Sequence, residues 1–156
     1  MNRMPPLTLS VIQVVVDWSE KCEAQILAVG TPLSMQQISD AKLVGVRHPD
    51  KIRLHKVDNI PIPNDPIVKK VAKQLEIFPK CMAALTLRYG IFVQKGCWCD
   101  RELLLHEFAH TAQYERIGSI KKYMKRYIME LLSSGHAASR LEMEANLKAE
   151  KVLIWY

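Results

Sequence analysis

The chain reads as an α+β protein, with a small sheet and a helix-rich C-terminal half. Apolar residues recur at helical spacing over 8–29 and again from 101 to 153, whereas β-forming stretches are confined to 51–62 and 83–94. At 156 residues, 49% hydrophobic and 24% charged, the chain has the length and composition to bury a core without staples. It is read as a single domain over 1–156, with N-terminal helices in 1–50, a strand and helix region in 51–96, and helices carrying the chemistry in 100–153.

Thr8–Val29 places Val11, Val14, Val15, Trp18, Cys22 and Ile26 on one helical face and ends at Gly30. Thr31-Pro32-Leu33-Ser34 reads as a turn and N-cap into a second helix over Met35–Val44, and His48-Pro49-Asp50 breaks the chain again. Lys51–Ile62 alternates apolar and polar residues before Ile-Pro-Ile-Pro, as a strand running into a loop does. Asp65-Pro66 is an N-cap with proline at the first helical position, and that helix is expected to reach Leu75. Ala83–Gln94 reads as one long or bent strand, with Gly90 marking a bulge or a close approach. Lys95–Asp100 is a loop. Helices over Arg101–Ile117, Ile120–Ser133 and Arg140–Leu153 complete the chain, the first two closed by Gly118 and Gly135.

The net charge of +6 is concentrated at Lys121, Lys122, Lys125 and Arg126, which reads as a solvated helix face. No RNA-binding aromatic-and-glycine pattern and no zinc-finger spacing accompanies it, so no nucleic-acid partner is expected. Cys22, Cys81, Cys97 and Cys99 do not form a disulfide framework, and Cys97-Trp98-Cys99 without a second pair reads as loop thiols. A cytoplasmic setting is expected. The apolar run Leu7–Val16 is too short to span a bilayer and lacks a small-residue cleavage site, so it reads as a buried helix.

Residues 106–110 read His-Glu-Phe-Ala-His. Positions four apart share a helix face, so the imidazoles of His106 and His110 can reach one ion. Glu107 flanks that face, where it can take the proton of a water, which is the basis of metal-assisted hydrolysis at this spacing. In a chain of this composition the pattern arises by chance only about 0.01 times. Here it lies in a helical segment with Asp100 as N-cap.

A catalytic zinc takes three protein ligands. His136 is one candidate for the third, but it sits beside Gly135 in a turn. Glu142 and Glu144 lie on a separate helix whose apolar stripe contains Leu141, Ala145, Ala149 and Val152. Glu142 falls about 60° from the centre of that stripe and Glu144 about 100°. Glu142 is therefore the nearer to the buried side. Ser139 and Glu142 also have capping-box spacing, which would leave the metal to Glu144. Asn146, one turn on from Glu142, is placed to hydrogen-bond a ligand histidine.

His106–His110 followed by Glu142 resembles the gluzincin metallopeptidases, the group that contains thermolysin. Glu-Met-Glu-Ala-Asn at 142–146 is similar to the Glu-x-x-Ala-Asn/Asp helix motif of small bacterial zincins, which implies Glu142 as ligand and Asn146 as its supporting group. Thr-Pro-Leu-Ser at 31–34, Val-Gly-Val-Arg-His-Pro at 44–49, Leu-Arg-Tyr-Gly-Ile-Phe-Val at 87–93 and the stretch from His106 to Gly118 extend the likeness over most of the chain. It resembles there a family of uncharacterised bacterial HExxH proteins with an expected peptidase function. The resemblance implies a zincin-like fold and supplies no substrate. Asn146 departs from the aspartate of thermolysin-like enzymes.

A zinc-dependent metallopeptidase acting on a peptide or protein is thus expected, with Zn2+ as cofactor, His106, His110 and Glu142 as ligands and Glu107 as general base. The alternative is a zinc-binding regulatory or interaction module with little hydrolysis. Leu87–Phe92 is the candidate edge strand for aligning a peptide, Gln113 a candidate substrate contact, and Tyr114, Tyr123 or Tyr127 a candidate oxyanion donor.

Overall fold

A computed structural model describes residues 6–76, 82–135 and 139–156. Its elements, in chain order, are α1 (Pro6–Val29), β1 (Thr31–Pro32), α2 (Met35–Leu43), β2 (Arg53–Val57), α3 (Pro66–Leu75), β3 (Ala84–Leu87), β4 (Gly90–Gln94), α4 (Arg101–Ile117), α5 (Ile120–Ser134) and α6 (Arg140–Trp155), with short 3₁₀ turns at Pro49–Lys51 and Lys95–Cys97. The class is α+β: six helices around a four-stranded mixed sheet.

The strand order is β1-β2-β4-β3. β2 and β4 are parallel, whereas β1 and β3 pair antiparallel with their neighbours. Alternation along β4 divides the core. Ile91 and Val93 face Leu104, Leu105, Phe108 and Ala109 of α4 and Ala145 and Ala149 of α6. Phe92 faces the other way, toward a cluster of Val11, Val15 and Ile26 from α1 and Tyr123 and Ile128 from α5. The sheet is therefore covered on both faces, and α4 lies against it with its motif-bearing side near β3.

Local chemistry explains the element boundaries. Ser34 and Gln37 make a reciprocal capping box at α2. Asp65 accepts from Ile67 and Val68 at α3, with Pro66 following. Asp100 accepts from Leu103 at α4, and Gly118, at φ 106°, closes it. Thr31–Pro32, read as a turn from sequence, is a two-residue strand antiparallel to β2. Gly30 permits it, because a Cβ there would sit 2.6 Å from the Ile26 carbonyl and 2.8 Å from Arg53 Cβ.

The segment 83–94 is not one strand but a hairpin. Arg88 and Tyr89 turn it, and Arg88 takes a left-handed φ of 59°. Buried Glu23 of α1 holds that turn: it receives both Arg88 guanidinium hydrogen bonds and the Tyr89 backbone N–H at 3.0 Å. Gly90 does mark a close approach, since a Cβ would lie 3.0 Å from Ile26 Cβ. Consequently the expected edge strand Leu87–Phe92 is corrected: it straddles the turn, β4 is interior, and the edge strand beside α4 is β3, with β1 at the opposite edge.

The lysines and arginine at 121, 122, 125 and 126 are exposed on α5. Among the described residues no helix is long and apolar enough to cross a membrane. Cys22, Cys97 and Cys99 are free, and Cys22 is buried in α1, where burial pushes its thiol pKa up. Cys81 and His136 lie outside the described residues.

Candidate metal centre

His106 and His110 stand one turn apart on α4, and Glu142 enters from the first turn of α6. Their donor atoms form a triangle. His106 Nε2 is 3.0 Å from His110 Nε2, and Glu142 Oε2 lies 3.2 Å from the first and 3.4 Å from the second. A tetrahedral ion bound at about 2.0–2.1 Å separates its donors by about 3.4 Å. The triangle thus has the size such an ion requires, its donors are two imidazole nitrogens and a carboxylate oxygen, and the three residues could hold a metal ion. His110 and Glu142 are buried and His106 is partly so.

The same side chains set one another's charge. Burial by itself would lower the His110 pKa, but the hydrogen bond and charge of Glu142, with Glu107 behind it, raise it to about 9. Burial would raise the Glu142 pKa, yet the hydrogen bonds from His106 and His110 hold it well below the usual carboxylate range. The Glu142 carboxyl therefore stays ionised beside the two imidazoles.

Glu142 faces this point from the first turn of α6. Ser139 makes no capping hydrogen bond to its own helix. Glu130 of α5 takes that part, accepting from Leu141 N at 3.1 Å and from Ser139 Oγ at 2.8 Å. Glu144 points elsewhere: Arg116 binds it through two nitrogens at 2.8 and 2.9 Å, and Lys148 lies 3.5 Å away. The Arg116 hydrogen bond, followed by that from Gln113, holds the Glu144 pKa down at about 2.

Two expected roles are corrected. Asn146 is exposed and makes no hydrogen bond to either histidine. Gln113 is fully buried and touches His110 Nδ1 at 2.9 Å, so it lies behind His110 rather than on a substrate surface. Its place three residues beyond His110 on the same helix was the available signal.

The tyrosines stack in a column, Tyr114 on Tyr123 with ring centres 3.7 Å apart and Tyr123 on Tyr127 at 6.0 Å. Tyr114 donates to the Thr86 carbonyl at 3.3 Å, the Tyr123 hydroxyl lies 3.2 Å from His110 Nδ1, and Tyr127 donates to Glu142 Oε1 at 3.1 Å. Burial, then neighbouring negative charge, pushes the Tyr127 pKa far up, so its hydroxyl remains a donor. All three tyrosines line the same cavity as His106, His110 and Glu142, and Tyr123 and Tyr127 touch His110 and Glu142 there.

Glu107 is buried and accepts a 2.5 Å hydrogen bond from Thr86 Oγ1. Sequence reasoning passed over Thr86, whose only signal is its position facing α4 from a strand. Glu107, His106, His110 and Glu142 line a common cavity of about 230 Å³. Its remaining wall is chiefly apolar: Val15 and Trp18 of α1, residues 82–87 leading into and along β3, Leu103 of α4, and Met124 and Ile128 of α5, with Tyr114, Tyr123 and Tyr127 beside them. Comparison of the chain with protein-family models, curated proteins and solved structures finds no match.

Proposed function

We propose that this protein is a zinc-dependent metallopeptidase with a zincin-like site. The observation that carries the reading is the convergence of the His106, His110 and Glu142 donors on one point of a cavity that Glu107 also lines. A zinc ion held there would supply a Lewis acid for a peptide carbonyl and lower the pKa of a water.

The chain's own residues account for the remaining chemistry. Thr86 Oγ1 occupies one lone pair of Glu107 Oε2 and fixes the carboxylate against β3, leaving acceptor capacity to take a proton from water. The same carboxyl then returns that proton to the departing amine. Tyr127 and Tyr123 hold Glu142 and His110 in place. The apolar cavity wall limits water around the site and has room for an apolar side chain of a substrate. β3, the edge strand beside α4, borders the cavity and is the segment on which an extended peptide would align by strand addition.

Elemental analysis of zinc-loaded protein should find about one ion per chain, lost in His106→Ala and His110→Ala. Digestion of a peptide library, read by mass spectrometry, should show cleavage by the wild type. Glu107→Gln should keep the zinc and cleave about 10²–10⁴-fold more slowly. Equal cleavage by both proteins would remove Glu107 as the base, and full zinc retention in both histidine variants would overturn the site.

A further inference from the structure

We infer that Gln113 is the positioning residue of the metal centre, setting the tautomer of His110 and anchoring the strand of chain that carries Glu142. The inference rests on the zinc reading above. Gln113 has 0% exposure, so its amide must find every partner within the protein. Its Nε2 donates to the Leu141 carbonyl at 2.8 Å and to Glu144 Oε2 at 2.9 Å. Both partners are acceptors only, so turning the amide over would set Oε1 against two oxygens. The orientation is therefore dictated by chemistry, and Oε1 must face His110 Nδ1 at 2.9 Å.

An amide oxygen is an acceptor only, so His110 Nδ1 must carry its hydrogen. The lone pair of the neutral ring is then on Nε2, the atom that faces His106 and Glu142. Tyr123 offers the competing arrangement, because its hydroxyl lies 3.2 Å from the same Nδ1 and could donate to it. That arrangement would point the Nδ1 lone pair at the Gln113 oxygen. The locked amide excludes it, and the Tyr123 oxygen is left to share the Nδ1 hydrogen as a second acceptor.

The same amide reaches the third ligand. Leu141 precedes Glu142, and its carbonyl is held to α4 by Gln113. One side chain thus connects two of the three ligands. Glu144 and Arg116 complete the arrangement by keeping the second Nε2 hydrogen engaged. Glu144, bound to Arg116 and Gln113, is not a rival ligand but part of the support for one.

Two measurements test this. Long-range ¹H–¹⁵N spectra of zinc-loaded wild type should show His110 protonated and slowly exchanging at Nδ1 and ligating through Nε2. Competition with a chelator should find zinc bound about 10–100-fold more weakly by Gln113→Met, which keeps the side-chain length and loses all three hydrogen bonds. A lower melting temperature with unchanged zinc affinity would reduce Gln113 to a structural residue and overturn the inference. So would ligation of His110 through Nδ1 in the wild type, a measurement that stands even where Gln113→Met does not fold. Failure of the wild type itself to take up zinc would instead overturn the metal-centre reading, and this inference with it.

Discussion

Glu142 and Glu144 are two residues apart and chemically identical, yet their surroundings give them different work. Glu142 meets two imidazoles and the Tyr127 hydroxyl, whereas Glu144 meets Arg116, Lys148 and Gln113. Glu142→Ala should therefore lose most zinc affinity, because two histidines alone leave the ion open to water. Glu144→Ala should lose little, since the Leu141 carbonyl still orients Gln113. Chelator competition on the two variants decides the matter, and the reverse order would exchange their roles. Helical periodicity favoured Glu142 but left the capping alternative open, because spacing alone cannot show that Glu130 reaches the start of α6 from another helix.

At the scale of elements, the start of α6 depends on α5. Glu130 takes the Leu141 N–H and the Ser139 hydroxyl that the first turn would otherwise leave without protein acceptors, and Arg126 pairs with it from one turn earlier. Burial works against the charged form, but the Leu141 and Ser139 hydrogen bonds and Arg126 together lower the Glu130 pKa. Glu130→Ala should cost on the order of 1 kcal/mol, as loss of a cap does. Thermal or urea melts would measure it. A stability equal to wild type would mean that water serves the helix start equally well. The β3–β4 hairpin is a second case of support from afar, since Glu23 of α1 holds a turn built on Arg88 and Tyr89. Those residues carry none of the Asn-Gly chemistry that marks a tight hairpin in sequence.

For the whole molecule, the Arg116–Glu144 pair joins α4 to α6 across the back of the site. The Glu144 carboxyl titrates at about 2 in the folded protein against an ordinary 4.5, so its contribution to stability is present above pH 4.5 and is lost as the pH falls toward 2. Wild type and Glu144→Gln, melted in the presence of a chelator, should differ near neutrality and converge through that window. The contributions of His110 and Glu142 are common to both proteins and cancel. A difference that stays constant down to pH 2 would show that the pair contributes through packing rather than charge.

The sequence by itself determined the helices, because their caps and periodicities are local: Ser34 with Gln37, Asp65 before Pro66, Asp100, Gly118 and Gly135 act within a turn or two of where they stand. It determined the placing of His106 and His110 on one face for the same reason, and brought forward Glu142 through the stripe it borders. Tertiary structure decided everything that depends on partners distant in the chain. It broke the segment 83–94 into a hairpin, made β3 an edge, moved the supporting role from Asn146 to Gln113, and set Thr86 against Glu107. Each of these depends on groups 21 or more residues apart in sequence, or on which of several possible acceptors lies nearest. Helical spacing specifies a direction around an axis, but only packing specifies what lies in that direction.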